Sequence, residues 1–198
     1  MSRIIAGIAG GLALASVPGT GTRPTTDRVK ESVFSRLEHW EAVQDARVLD
    51  LFAGSGALGL EAVSRGARRA VLVDAADAAV KAARTNAQRI NQAVGAGRGA
   101  DELGTAGARV VKGRAPGIIA TLGDVWDLAF LDPPYPLSEG ELGEVLENLL
   151  PRLSETAVVV VERSHRSPEP AWPAGLEPID DKKYGETRIW YAEPATRG

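Results

Sequence analysis

Val48-Leu49-Asp50-Leu51-Phe52-Ala53-Gly54-Ser55-Gly56-Ala57-Leu58-Gly59 decides the fold. A short apolar run ends in a glycine-rich turn, and Ala57 to Ser64 then reads as a helix. That is a buried strand handing the chain to a helix, with glycines where the backbone must come close to something. Asp74 follows Gly54 by 20 residues and ends the next apolar run, Ala70-Val71-Leu72-Val73-Asp74. Gly54, Gly56 and Gly59 with that acid match the spacing of a nucleotide-binding strand–turn–helix unit.

The alternation continues outward. Thr26 or Asp27 caps a helix whose apolar positions are Val29, Val33, Leu37 and Trp40. After the strand Arg47 to Phe52 and the strand Ala70 to Asp74, an alanine-rich helix runs from about Asp77 to Ile90. Arg109 to Lys112 and Asp127 to Asp132 read as strands, Leu142 to Leu150 as a helix, and Ala157 to Glu162 as a fifth strand. Unalternated apolar strands separated by helices predict a parallel sheet covered on both faces. Leu176 to Asp180 and Thr187 to Ala192 flank Lys183-Tyr184-Gly185-Glu186, an antiparallel hairpin that closes the sheet. The expected fold is therefore α/β and Rossmann-like, a mainly parallel seven-stranded sheet with an antiparallel C-terminal hairpin, spanning residues 23–198. Ala93 to Gly107, rich in glycine, reads as a surface loop.

Residues 1–22 form a small extension. Ile4 to Val17 is almost free of charge and has the look of a secretory signal. It is too short to span a bilayer, which takes about 20 apolar residues, and Gly7, Gly10 and Gly11 interrupt any helix. It reads instead as a β-hairpin, Arg3 to Ala6 against Leu12 to Ala15, in a cytoplasmic protein with no membrane contact.

The 198 residues suit one domain with a full core. With no cysteine and only His39 and His165, thiolate chemistry is excluded and a metal centre is not expected. The net charge of −3 does not advertise nucleic-acid binding, although local basic faces can still neutralise phosphates. Arg3, Arg23, Arg28, Lys30 and Arg36 cluster early in the chain, and Lys30 reads as a helix-surface charge.

Asp50 lies four residues before Gly54. A carboxylate there would repel the pyrophosphate of a dinucleotide, but suits S-adenosylmethionine, which carries an amino group and a sulfonium and no phosphate. Asp50, Gly54, Ser55, Gly56 and Asp74 are thus the expected donor-binding residues. Phe52, in the same loop, reads first as core and is counted beside them.

Leu128 to Leu131 delivers Asp132-Pro133-Pro134-Tyr135 to the end of the fourth strand. Methylating an exocyclic amine requires its delocalised nitrogen to pyramidalise. Asp132 could accept one N–H of that amine and the Pro133 carbonyl the other, with the prolines fixing the turn. Tyr135 would stack on the base. Asp132, Pro133, Pro134 and Tyr135 are the expected catalytic residues.

Arg3 to Gly7, Arg23-Pro24-Thr25-Thr26-Asp27-Arg28-Val29-Lys30-Glu31, Asp50 to Ala62 and Asp132 to Tyr135 together resemble the RsmD family over nearly the whole chain. The resemblance implies a class I methyltransferase fold and methylation of the N2 of one guanine in 16S ribosomal RNA, within a small-subunit particle; the chain is expected to act as a monomer. It also implies that Arg23, Thr25 and Asp27 line the active-site mouth, and Arg23 and Arg28 flank a helix start where a phosphate or the donor carboxylate could dock. Arg114 and Ala115 fall where such enzymes contact the adenine of the donor. Two departures stand out: Arg114 replaces a small polar residue, and Gly10-Gly11-Leu12-Ala13 lacks the basic residues that relatives often carry.

Rival readings share parts of this pattern. A DNA adenine methyltransferase would have both motifs but needs a recognition domain for which the chain has no room. A glutamine-modifying enzyme usually has asparagine at position 132. A nicotinamide oxidoreductase leaves Asp132 to Tyr135 unexplained, and a catalytically silent RNA-binding module has no use for the donor residues.

Overall fold

The computed structural model describes residues 2–18, 26–95, 107–134 and 136–195. Its elements, in chain order, are α1 (Asp27–His39), β1 (Arg47–Leu51), α2 (Ala57–Ser64), β2 (Arg69–Asp74), α3 (Asp77–Gly95) and β3 (Gly107–Lys112). There follow β4 (Trp126–Leu131), α4 (Glu139–Leu149), β5 (Leu153–Ser164), β6 (Leu176–Tyr184) and β7 (Thr187–Pro194). The strands form one seven-stranded sheet in the order β3-β2-β1-β4-β5-β7-β6. The first five are parallel, and β7 runs antiparallel to both β5 and β6.

Side-chain alternation divides the core between the two faces of this sheet. Val48, Leu72, Leu128, Phe130, Val158 and Val160 pack with Val33, Phe34 and Leu37 of α1 and with residues of α2 and α3. Leu49, Leu51, Val71, Ala129, Leu131, Val159 and Val161 pack on the other face, against Leu142, Val145, Leu146 and Leu149 of α4.

Element boundaries move outward from the sequence reading wherever polar residues extend a strand. β5 starts at Leu153, opposite Trp126, and an irregularity between Trp126 and Leu128 lets the polar Ser154-Glu155-Thr156 join the strand. β6 continues through Asp181-Lys182-Lys183 because it is the sheet edge, where charged side chains are ordinary. α3 persists to Gly95, and residues 96–106 of the expected loop lie outside the described residues.

The N-terminal segment follows the expected hairpin path but, among the described residues, keeps one bridge, Arg3 with Ala13. The Ile4 N–H donates to the Leu12 carbonyl at 2.9 Å, and the Gly11 N–H to the Ile4 carbonyl at 2.9 Å. Other backbone donors are spent on neighbouring helices. Glu61 of α2 accepts from the Ile5 N–H at 2.8 Å and the Ala6 N–H at 3.0 Å, and Asn86 of α3 accepts from the Ala15 N–H at 2.8 Å. The segment is sewn to helices rather than paired as a ladder, and Ile4, Ala9 and Leu14 enter the core.

Lys30 corrects the sequence reading. It is 1% exposed, its Nζ lies 3.3 Å from Glu61 Oε2, and it donates to the Arg3 carbonyl. Glu61 is itself fully buried and also accepts from Arg65 Nε at 2.8 Å. A buried carboxylate survives only when its lone pairs are used in this way.

Candidate active site

The strand order reverses direction between β1 and β4: β2 and β3 extend from one side of β1, and β4 and β5 from the other. At such a switch point the loops leaving the carboxyl ends of the two strands diverge and open a crevice. Leu51 pairs with Leu131 at the last rung, so Phe52 and Asp132 leave the sheet side by side.

The loop after β1 is shaped by its glycines. Gly56 has φ +82°, and a Cβ there would sit 2.7 Å from Leu72 Cδ1. A Cβ on Gly59 would come within 2.3 Å of Leu72 Cδ2, so α2 touches β2 only because this residue has no side chain. Phe52 holds φ +64°, an outlier for a bulky residue that marks this turn as strained. It is half-buried and packs against the α4-side core. The Gly54 N–H donates to Asp74 Oδ2 at 2.9 Å, and the Ala76 N–H to Asp74 Oδ1 at 2.9 Å. Asp74 therefore braces the loop from the end of β2.

Asp50 is 2% exposed and accepts the Gly59 N–H at 2.9 Å. Burial pushes its carboxyl up to about 7, opposed by the Gly59 bond and assisted by the negative charge of Asp74. Asp50, expected among the donor-binding residues, lies beneath the loop and holds the first turn of α2.

Asp132 stands exposed at the lip, while Pro133 is buried and Pro134 exposed. Enough protein crowds the Asp132 carboxyl that desolvation, with Glu162 and Asp50 adding repulsion, raises its pKa well above the ordinary carboxylate range. The Pro134 carbonyl accepts the Leu137 N–H at 2.9 Å, closing the turn. Ser138 then caps α4 reciprocally with Glu141.

Alternation puts four carboxylates on one face. Asp74, Asp50, Asp132 and Glu162 continue the rows of Leu72, Val48, Phe130 and Val160, at the carboxyl ends of the adjacent strands β2, β1, β4 and β5. Glu162, the last residue of the fifth strand in the sequence reading, is not among the expected site residues, although the two-residue period from Val158 and Val160 points to it.

Arg163, one residue on, faces the opposite side. It is 9% exposed and donates through Nη2 to the Leu137 carbonyl at 3.2 Å and to Glu139. The segment that follows Pro134 is thereby pinned to β5.

Other expected residues are placed as follows. Asp27, next to the Thr26 cap, pairs with Arg3 Nε at 3.0 Å, which ties the N-terminal arm to α1. Arg28 is exposed. In the turn after β3, the Gly113 N–H donates to the Asp74 carbonyl at 3.0 Å, so the turn that carries Arg114, exposed, and Ala115, half-buried, leaves the sheet beside the end of β2. Arg23, Thr25 and Tyr135 lie outside the described residues.

The crevice suits a cationic, phosphate-free donor. Its acids crowd one another and gain from a positive charge, and a Cβ built on Gly54 would meet nothing within 4 Å.

Residues 2–193 match the family model described as Conserved hypothetical protein 95. The chain belongs to this family. Ribosomal RNA small subunit methyltransferase D of Escherichia coli is 37% identical over 187 residues, covering 93% of this chain and 85% of the relative. The protein of that name from Haemophilus influenzae is 30% identical over 170 residues, covering 84% and 80%. Among solved structures, the E. coli protein yhhF, described as a methyltransferase, superposes with a TM-score of 0.79 at 32% identity and 98% coverage of each chain. The rRNA methyltransferase aviRa of Streptomyces viridochromogenes shares the fold with a TM-score of 0.66 at 20% identity. The family member described here has the class I methyltransferase fold and is a methyltransferase.

Proposed function

We propose that the protein transfers a methyl group from S-adenosylmethionine to the exocyclic N2 of a guanine in 16S ribosomal RNA, presented by a small-subunit particle. The observation that carries this reading is the shared lip: the glycine loop of β1 and the Asp132-Pro133-Pro134 turn of β4 open on one crevice lined by carboxylates. The names of the relatives point to the same substrate class.

Gly54, Ser55, Gly56 and Asp74, with Asp50 and Phe52 beneath, would hold the donor, and Arg114 with Ala115 would flank its adenine. When bound, S-adenosylmethionine supplies a methyl group on a positively charged sulfur. Asp132 accepts a hydrogen bond from one N–H of the target amine and favours the positive charge that grows on nitrogen. The Pro133 carbonyl accepts the second N–H, and Tyr135 stacks on the base. Arg23, Thr25, Asp27 and Arg28 would form the substrate mouth. The acids around Asp132 oppose its ionisation, and a cation in the crevice relieves that repulsion. Donor binding thus favours the form of Asp132 that the chemistry needs.

The test is transfer of a tritiated methyl group to small-subunit particles from a strain lacking the modification, with naked 16S RNA and duplex DNA as comparisons. N2-methylguanine in the particle is the expected product. Label in DNA adenine, or tight binding of NADH without binding of S-adenosylmethionine, would overturn the assignment.

A further inference from the structure

Asn86 is a fully buried polar residue in the middle of α3. Its amide is used on both ends. Oδ1 accepts the Ala15 N–H at 2.8 Å, while Nδ2 donates to the Ala15 carbonyl at 3.0 Å and to the Ser55 carbonyl at 2.9 Å. The Ala15 N–H requires an acceptor and the two carbonyls require donors, so one orientation of the amide satisfies all three.

Ser55 sits between Gly54 and Gly56, at the centre of the donor loop. The loop's other bonds run to β2, within itself or into α2: the Ala53 N–H to the Val73 carbonyl, the Gly54 N–H to Asp74, the Gly56 N–H to the Ala53 carbonyl and the Leu60 N–H to the Gly56 carbonyl. Asn86 adds an anchor from a third element, and the same side chain holds the N-terminal arm.

We propose that Asn86 is a positioning residue for methyl-donor binding, fixing the donor loop and the N-terminal arm to each other through one buried amide. This rests on the reading of that loop as the donor site. Removing the amide leaves the Ser55 and Ala15 carbonyls and the Ala15 N–H without their partner, and the loop loses its hold on α3. Two glycines flank the freed carbonyl, so the loop then samples conformations in which the donor contacts are not aligned.

Asn91, on the same helix, supplies the control. Its Oδ1 accepts the Ala108 N–H at 2.7 Å and its Nδ2 donates to the Ala108 carbonyl at 2.9 Å. This is the same two-bond clip, made to β3 and away from the donor loop.

The experiment titrates S-adenosylmethionine calorimetrically into the wild type, Asn86→Ala and Asn91→Ala, with the stability of each measured by urea denaturation. Expected is a Kd about tenfold weaker for N86A and unchanged for N91A, the size of loss that one buried hydrogen bond in a binding loop represents. Amide exchange gives a second readout: donor binding should slow exchange at Ala15 in the wild type and N91A, and leave it unchanged in N86A. A folded N86A that binds like the wild type overturns the proposal. If N86A does not fold, the wild-type exchange experiment decides, since an unchanged Ala15 rate on donor binding also overturns it. Failure of the wild type to bind S-adenosylmethionine would instead overturn the donor assignment itself.

Discussion

Asp50, in β1, and Asp132, the residue that follows the neighbouring parallel strand β4, meet at the carboxyl edge of the sheet, and the charge of Asp50 helps to raise the proton affinity of Asp132. The acid limb of the methyl-transfer rate should report Asp132. Because its pKa is raised, activity is lost as the pH falls through that raised value, well before an ordinary carboxylate would protonate. Asp132→Asn should lower kcat by about 100-fold or more at every pH. Glu162→Gln, which removes the larger of the two repulsions, should move the acid limb to lower pH. A limb that stays in place in E162Q would show that another group sets it.

Asp50 also makes stability depend on pH. Its folded pKa of about 7 lies above the value of roughly 4 for an unfolded chain, so the native state binds the proton more tightly. Wild-type stability therefore declines as the pH rises through this interval. Asparagine keeps an acceptor for the Gly59 N–H and carries no charge. Asp50→Asn should match the wild type near pH 4 and exceed it by up to about 4 kcal/mol above pH 7. Urea denaturation of both proteins across that range checks the sign, and a gap that shrinks with rising pH would refute it.

Arg163 holds Leu137 and Glu139 behind the acceptor turn. Arg163→Ala should reduce kcat roughly 10- to 100-fold through misplacement of Asp132 and Pro133. Donor affinity should not change, since the donor loop leaves a different strand. Equal losses in kcat and in donor binding would mean that the crevice as a whole had collapsed.

Glu61 is the counter-ion of Lys30 and the common acceptor of Arg65 and two backbone amides of the N-terminal arm. Glu61→Ala leaves the Lys30 ammonium buried without its counter-charge, and should cost about 3–5 kcal/mol in chemical denaturation. An effect below about 1 kcal/mol would mean that water enters and replaces the carboxylate.

The strand tips and the helix that follows the glycine loop were legible because apolar runs and glycine spacing are local signals. So was the pairing of crevice lips, which follows from strand order. Lys30, Asn86 and Glu61 were not read as buried, because their partners come from segments distant in sequence. A signal was nonetheless present. Lys30 shares a helical face with Val33, Phe34 and Leu37, and Asn86 with Ala83, Ala87 and Ile90. A polar residue on an apolar stripe is more often a satisfied interior group than a surface charge, and that inference needs only the period. The ends of β5 and β6 remained hidden because polar residues at a bulge and at a sheet edge leave no apolar pattern.

The arm sewn to α2 and α3 sets a limit on how this chain can be shortened. A variant lacking residues 1–15 would take two amide donors from the Glu61 carboxylate and both Ala15 partners from the Asn86 amide, and would bare the apolar seat of Ile4, Ala9 and Leu14. Such a trimmed protein should come out of cells as aggregate rather than as a smaller catalyst.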